Sequence, residues 1–358
     1  MPFRILSLGG TKATAGLFLG FITYASALSA PLGGALADRM GRRPILWIAS
    51  LAILFFSGVY AFSTSLWVIL SSAIVHGVFW SALLSASAAF MADLIPESRR
   101  AEGFGYWGMA SVLAIALAPS MGLWLFRYGW HWICLLMGLL ALGMFAIAWR
   151  IPQTHSGGRP GFQGLFSASL VERKVFALSV TLFLYSFGYG GVTSFVALYS
   201  KESGVQPNGL FFIVFSITIL VTRPFVGRVA DHYGRKRVFV PCLVFIAIGL
   251  AALACSRNLS LLVLSAVLYG IGFGSAYPAF TAYVIETGDT LRRGAIFGTI
   301  LLAFDTGIGS GSILLGFVIQ HHGYARAFWL GSLLSACAIP YFYFVDQRLS
   351  RSLQQGGC

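Results

Sequence analysis

The sequence predicts an all-α polytopic membrane protein built from two helical bundles, and three observations lead to that prediction. Of the 358 residues, 58% are hydrophobic and 10% are charged, whereas soluble domains average roughly 45–50% and about 25%. Apolar runs of about 20 residues, the length that crosses a bilayer as a helix, recur along nearly the whole chain. Basic residues cluster at alternate connections between these runs, and one sequence pattern occurs twice.

The apolar runs and the short polar connections between them place eleven transmembrane helices. The predicted spans are 13–36, 44–63, 66–91, 103–126, 131–150, 175–199, 208–228, 237–256, 260–285, 294–319 and 326–345.

Lys and Arg are distributed unequally between the two sets of connections, with about 17 on one side and about 6 on the other. Because positively charged loops are retained in the cytoplasm, this asymmetry predicts a multi-pass protein of the cell inner membrane with a cytoplasmic C-terminus. The net charge of +13 lies in short clusters between helices and forms no surface patch. The bilayer is therefore the expected partner, and nucleic acid is not.

An internal repeat relates the two halves, because the segment from Pro31 to Arg43 matches the segment from Pro224 to Lys236 at an offset of 193 residues. The recurring residues pair as Gly34 and Gly227, Asp38 and Asp231, Gly41 and Gly234, Arg42 and Arg235, Arg43 and Lys236, Asp93 and Glu286, and Arg100 and Arg293. Parallel repeats of this kind are typical of two-bundle transporters.

The same offset leaves the helix at 175–199 without a counterpart, so a first helix is expected to be missing from this chain. A start-site error and a true truncation both account for that. The predicted divisions are an N-terminal bundle at 1–150, a cytoplasmic linker at 151–174, a C-terminal bundle at 175–346 and a cytoplasmic tail at 347–358.

The segment from Gly34 to Arg43, with Asp38, Arg39 and Gly41 at set positions, resembles the loop between helices 2 and 3 of the major facilitator superfamily. The segment from Gly227 to Lys236 resembles its second copy. The resemblance implies the major facilitator fold of two six-helix bundles, alternating access and a monomeric transporter.

The resemblance also implies a cytoplasmic gating latch. Acidic residues at the cytoplasmic C-terminal ends of helices are disfavoured by the helix dipole and need cationic partners. The acidic residues are Asp38, Asp93, Asp231 and Glu286, and the cations of the motif are Arg39, Arg42, Arg43, Arg100, Arg235, Lys236 and Arg293. The alternative is that the basic clusters serve only to direct membrane insertion.

A weaker similarity to the fifth-helix motif of exporters lies between Ala114 and Leu123, with Pro119 and Gly122 as its marked positions. Small residues at four-residue spacing permit close helix packing, and a proline permits bending. The sequence departs from the exporter pattern before Gly77, where Ala73 stands at the position that antiporters usually give to Arg.

Asp305 lies twelve residues beyond Arg293, which places it roughly 18 Å deep at 1.5 Å per residue. A carboxylate near the bilayer centre is costly to keep charged, so the position indicates a proton carrier or a counter-ion for a cationic substrate. The alternative is a protonated, structural Asp bonded to a neighbouring helix.

Several other polar or aromatic residues fall inside the predicted spans. Arg223 is either an anchor that reaches the interface or a contact for substrate or gate. His76 is either a proton relay or a packing group. Aromatic residues that either line a substrate cavity or pack are Tyr24, Trp80, Tyr185, Tyr189, Tyr269 and Tyr277.

No motif for a cofactor, a metal or a catalytic nucleophile stands in a suitable context, so an enzyme is not expected. The five cysteines lack the spacing of a disulfide or metal framework. The sequence predicts proton-coupled efflux of a small organic molecule. Proton-linked uptake and a truncated, non-transporting membrane protein are the alternatives.

Overall fold

The computed structural model describes residues 1–96, 99–153, 173–287 and 293–355. Within these ranges the chain is helical almost throughout. The helices are α1 (Pro2–Ser7), α2 (Lys12–Met40), α3 (Arg42–Phe62), α4 (Leu66–Leu94), α5 (Arg100–Phe126), α6 (Trp130–Arg150), α7 (Arg173–Glu202), α8 (Leu210–Tyr233), α9 (Arg235–Cys255), α10 (Leu259–Thr287), α11 (Arg293–His322) and α12 (Tyr324–Gln355). Among the described residues, 11 helices are long and apolar enough to cross a membrane, which confirms the predicted class.

The helices extend beyond the predicted spans at several ends, most of all at α12. That helix continues to Gln355, so most of the predicted tail at 347–358 is helical. Hydropathy falls after Val345, but Gln, Arg and Leu remain good helix formers in water, so the helix outlasts the apolar run. Most of the predicted linker at 151–174 lies outside the described residues.

The chain divides into two compact units. The first comprises Met1, Phe3–Gly10 and Phe21–Ser167, and the second comprises Pro2, Thr11–Gly20 and Ala168–Cys358. The start of α2 therefore belongs to the second unit, whereas the sequence places all of residues 1–150 in one bundle. The reason is a close contact with α11, where the Ser312 hydroxyl donates to the Gly16 carbonyl at 2.9 Å.

In the first unit, α3 packs against both α4 and α6. The indole rings of Trp47 and Trp149 stack 4.5 Å apart and join α3 to α6. Large apolar side chains point outward at the end of α3 and the start of α4, where Phe62 and Trp67 are 82% and 83% exposed. Apolar exposure of this extent on a helical unit indicates surfaces that contact lipid.

In the second unit, α7 and α11 approach backbone to backbone through glycines on both helices. A Cβ added to Gly190 would lie 2.0 Å from the Ile308 carbonyl oxygen, and one added to Gly311 would lie 1.8 Å from that of Phe187. The Ser186 hydroxyl also donates to the Phe304 carbonyl at 3.0 Å. Small residues are how membrane helices achieve such contacts. This packing fixes α11, which carries Asp305.

Both copies of the repeated motif turn on a glycine with positive φ. Gly41, between α2 and α3, has φ 92° and ψ 159°, and Gly234, between α8 and α9, has φ 93° and ψ 142°. Only glycine adopts this region at low cost. The repeat therefore preserves one backbone geometry in both units.

Replacing either turn glycine by alanine is expected to destabilise the protein by about 1–3 kcal/mol, because a Cβ strains this backbone conformation. The measurement is the thermal unfolding temperature of purified Gly41→Ala and Gly234→Ala. Gly58→Ala is the matched control, since Gly58 is helical and a Cβ there meets no atom within 4 Å. Unfolding temperatures equal to that of the control would contradict the assignment.

Gly311→Ala is expected to destabilise the α7–α11 contact by about 1–3 kcal/mol, as overpacking of a close interface does. Gly298→Ala is the control on the same helix, because nothing lies within 4 Å of its added Cβ. Thermal unfolding of both purified variants measures the difference. If α7 and α11 were loosely packed, the two substitutions would behave alike.

Candidate functional site

An aromatic cluster fills the interior of the second unit around Phe273 of α10. The ring centroid of Phe273 lies 4.1 Å from that of Tyr189 in a stacked arrangement. It lies 5.9 Å from Tyr185, 5.6 Å from Tyr269 and 6.0 Å from Phe304. The aromatic cluster consists of Tyr185, Tyr189, Phe215, Tyr269, Phe273, Tyr277 and Phe304. Four tyrosines proposed from the sequence are thus brought together.

The aromatic cluster has a fully buried side and a half-buried face. Tyr185 and Tyr269 are 0% and 1% exposed, whereas Tyr189, Phe273 and Tyr277 are half-buried. The hydroxyl groups of Tyr185 and Tyr269 are buried and have no hydrogen-bond partner among the described residues. A buried donor without a partner is costly, so these hydroxyls are suited to a polar atom of a ligand or a water molecule.

Asp305 lies at the edge of the aromatic cluster. It follows Phe304, whose ring centroid is 4.9 Å from that of Tyr277. Asp305 is half-buried and interacts electrostatically with Tyr277. The structure therefore places the predicted mid-span carboxylate beside the predicted aromatic lining.

In the first unit, Arg42 connects the two acidic residues of the first motif copy. Its guanidinium hydrogen-bonds the Asp38 carboxylate, and its Nε lies 3.4 Å from Oδ2 of Asp93. The second contact is an ion pair without hydrogen-bond geometry. The Arg42 side chain is only 10% exposed, so this network neutralises a nearly buried cation.

Arg43 does not join that network. Its guanidinium carbon lies 4.8 Å from the ring centroid of Trp47 and 5.9 Å from that of Trp149, and it donates to the Trp149 carbonyl. Cation–π contacts and a carbonyl thus replace the carboxylate partner expected from the sequence.

In the second unit, Lys236 occupies the position that corresponds to Arg43 but contacts a carboxylate. Its ammonium binds Asp346 of α12, and the Tyr283 hydroxyl of α10 donates to the same carboxylate. The Asp346 side chain is 8% exposed. Lys236 thus ties α9 to α12.

The remaining motif residues have separate environments. Arg39 is exposed at the end of α2, and Arg235 is half-buried at the start of α9. Motif side chains that lie outside the described part of the structure are those of Arg100, Asp231, Glu286 and Arg293. The gating role of the motif stays a prediction.

His76 contacts α3 within the first unit. Its Nδ1 lies 3.1 Å from the Tyr60 hydroxyl, and its ring stacks on Phe56 with centroids 5.2 Å apart. These contacts match the packing alternative given by the sequence, and a relay role remains a prediction. Tyr24 is half-buried on α2, and Trp80 on α4 is 41% exposed.

The fifth-helix motif lies within α5 of the first unit. Pro119 lies inside α5, but a Cβ added to Gly122 would meet no atom within 4 Å. A close helix contact at Gly122 stays a prediction. Any role of the motif in export stays a prediction.

Two residues of the second unit that make these contacts were not predicted from the sequence. Phe273 stands four residues after Tyr269 and four before Tyr277, a spacing that marks one helical face. Asp346 is an acidic residue at the end of an apolar run, close to the basic Arg348. Both signals were present in the sequence.

Removing Lys236 is expected to leave the buried Asp346 carboxylate undercompensated. Lys236→Gln should cost about 1–3 kcal/mol of stability, less than a fully buried pair would, because the ammonium side chain is 40% exposed. The double variant Lys236→Gln/Asp346→Asn should recover part of that loss. Arg237→Gln, which removes an exposed charge from the same helix, is the control, and thermal unfolding is the measurement. Additive losses in the double variant would contradict the pairing.

Comparisons with known proteins agree with this architecture. The sequence profile described as Major Facilitator Superfamily matches residues 1–213 and again residues 178–356. The multi-drug resistance efflux pump PmrA homolog of Lactococcus lactis subsp. lactis (strain IL1403) is 26% identical, over 97% of this chain and 90% of its own. The chloramphenicol resistance protein of Pseudomonas aeruginosa is 30% identical, over 88% of this chain and 76% of its own.

A solved structure of a POT family transporter in complex with a thioalcohol-conjugated peptide superimposes with a TM-score of 0.78 at 14% identity, covering 96% of this chain and 89% of the other. At that identity the likeness shows the fold alone. The duplicated motif, the helices of membrane-spanning length and the two profile matches together cover essentially the whole sequence. The chain belongs to the Major Facilitator Superfamily.

Proposed function

We propose that the chain is a secondary active transporter of the cell inner membrane that exports small organic molecules in exchange for protons. The observation that carries this proposal is the position of Asp305, a mid-span carboxylate at the half-buried edge of the aromatic cluster. Relatives named as a multi-drug efflux pump and a chloramphenicol resistance protein support the direction and the substrate class.

The exchange follows from the cost of a charge inside a membrane. An ionised Asp305 needs a cationic or hydrogen-bonding partner, whereas a protonated Asp305 does not. A proton and a substrate therefore compete for the same carboxylate. Release of one favours binding of the other, which is the requirement for proton-driven exchange.

The aromatic cluster sets the kind of substrate. The rings of Tyr189, Phe273 and Tyr277 are half-buried, so their faces can stack against a flat or amphipathic molecule. The buried hydroxyl groups of Tyr185 and Tyr269 add donors that the described residues leave unsatisfied. A neutral or cationic molecule with an aromatic part fits this combination.

The orientation rests on the asymmetry of the basic residues. The Arg42 network lies at the end of the first unit whose connections are rich in Lys and Arg, which is the side retained in the cytoplasm. We assign the C-terminus to the same side. A monomer is the expected functional form.

Asp305→Asn is expected to reduce proton-driven transport to the background level, because an amide cannot exchange a proton. Everted membrane vesicles energised to an acidic interior measure this as uptake of a fluorescent aromatic cation. Asp305→Glu should retain part of the activity, since it keeps the carboxyl group.

Thr306→Val is the matched control, because the Thr306 hydroxyl donates only within α11, to the Leu302 carbonyl at 2.6 Å among others. It should transport as the unsubstituted chain does. Uptake by Asp305→Asn that remains sensitive to an uncoupler would place the coupling site elsewhere. Movement of the dye out of the everted vesicles would reverse the proposed direction.

A further inference from the structure

A cavity of about 220 Å³ lies between the C-terminal halves of α8 and α10 in the second unit. Closer to their N-termini the two helices touch, and a Cβ added to Gly270 would lie 2.9 Å from the Phe215 carbonyl oxygen. Both helices contain an internal proline near the cavity, Pro224 in α8 and Pro278 in α10. A proline removes a helical hydrogen bond and permits bending, so both helices are able to bend beside the cavity.

Among the described residues, the wall of the cavity is apolar except for Arg223, Arg235 and Ser275. Arg223 is half-buried inside a membrane-spanning helix, and it makes no hydrogen bond or ion pair with any residue that the structure describes. The Ser275 hydroxyl is buried, in a residue only 2% exposed, and likewise has no partner there. A charged donor and a neutral donor therefore face one cavity unsatisfied.

This site is separate from the aromatic cluster. Each residue of an α-helix advances about 100° around the axis. Ser275, Pro278 and Ala282 therefore lie on the face of α10 opposite to Tyr269 and Phe273. One helix thus carries two binding surfaces that point in opposite directions.

We propose that the cavity between α8 and α10 binds an oxyanion group, a carboxylate or a phosphate, carried on an apolar body. A guanidinium presents a planar set of N–H donors that matches such groups in a two-point contact. Arg235 adds a second positive charge to the same wall. The apolar remainder of the wall fits the chain or ring attached to the anion.

The size and depth of the cavity restrict the ligand. Its volume is below the roughly 300–1,000 Å³ of sites for drug-sized molecules, so it accommodates a short amphipathic anion or the headgroup end of a lipid. Arg223 stands seven residues before Ala230, where the span ends, or about 10 Å from that end. An anionic phospholipid and a soluble amphipathic anion can both bring the required chemistry to this depth.

The experiment measures thermal unfolding of the full chain in nanodiscs. The lipid arm compares pure phosphatidylcholine with phosphatidylcholine containing phosphatidylglycerol. The soluble arm adds hexanoate to pure phosphatidylcholine nanodiscs. A ligand well above its Kd should raise the unfolding temperature by roughly 3 °C or more.

Two variants test the site in different ways. Arg223→Gln removes the charge, and Gly227→Leu fills the cavity, where an added Cβ at position 227 meets no atom within 4 Å. Both should lose the ligand-induced rise. Arg228→Gln removes an exposed charge from the same helix outside the cavity wall and should keep it.

A rise with phosphatidylglycerol alone identifies a lipid headgroup as the ligand, and a rise with hexanoate alone identifies a soluble anion. No rise in either arm, or an equal rise in Arg223→Gln and Gly227→Leu, overturns the proposal. The readout needs no transport, and Asp305→Asn should retain the rise. Failure of the proposed export function therefore leaves this test unaffected.

Discussion

The cost of placing a charge in a low-dielectric span governs the polar side chains of this protein. Nearly buried Arg42 lies between two carboxylates, and nearly buried Asp346 lies between an ammonium and a phenol. Removing one partner leaves the other charge buried without compensation. That destabilises a protein more than replacing the whole pair by apolar residues does. Arg223 differs, because it makes no hydrogen bond or ion pair with any described residue. Its missing partner is the reason to expect one from outside the chain.

The two motif copies show which parts of a duplicated design can diverge. Gly41 and Gly234 keep almost the same φ, because no other residue adopts that conformation at low cost. The cation two residues after each of these glycines has a different partner in each copy. Arg43 contacts two stacked indole rings, whereas Lys236 contacts a carboxylate. A cation can be stabilised by either environment. The backbone conformation of the turn requires glycine, so glycine stands at this position in both copies.

Hydropathy was sufficient to predict the spans, because each helix must satisfy its own backbone in lipid. It also indicated Asp305 and four tyrosines. The structure groups these tyrosines in the aromatic cluster and places Asp305 at the edge of that cluster. It could not indicate which helix a given face meets. No pattern around Asp346 indicated its ion pair with Lys236, which lies 110 residues away in the sequence. Partner choice between distant segments is a tertiary property, and helical periodicity carries no information about it.

The two sides of the second unit differ in how freely their helices can move. α7 and α11 meet through glycine contacts that leave no room for a single Cβ, so Asp305 is expected to move only together with α7. α8 and α10 touch at Gly270 but leave a cavity between them beside Arg223, which gives them room to tilt. Any rearrangement of the aromatic cluster during binding should therefore come from α8, which carries Phe215, and from α10, whose opposite face borders the cavity. An anion bound in the cavity would act on the proposed substrate site through the positions of these two helices.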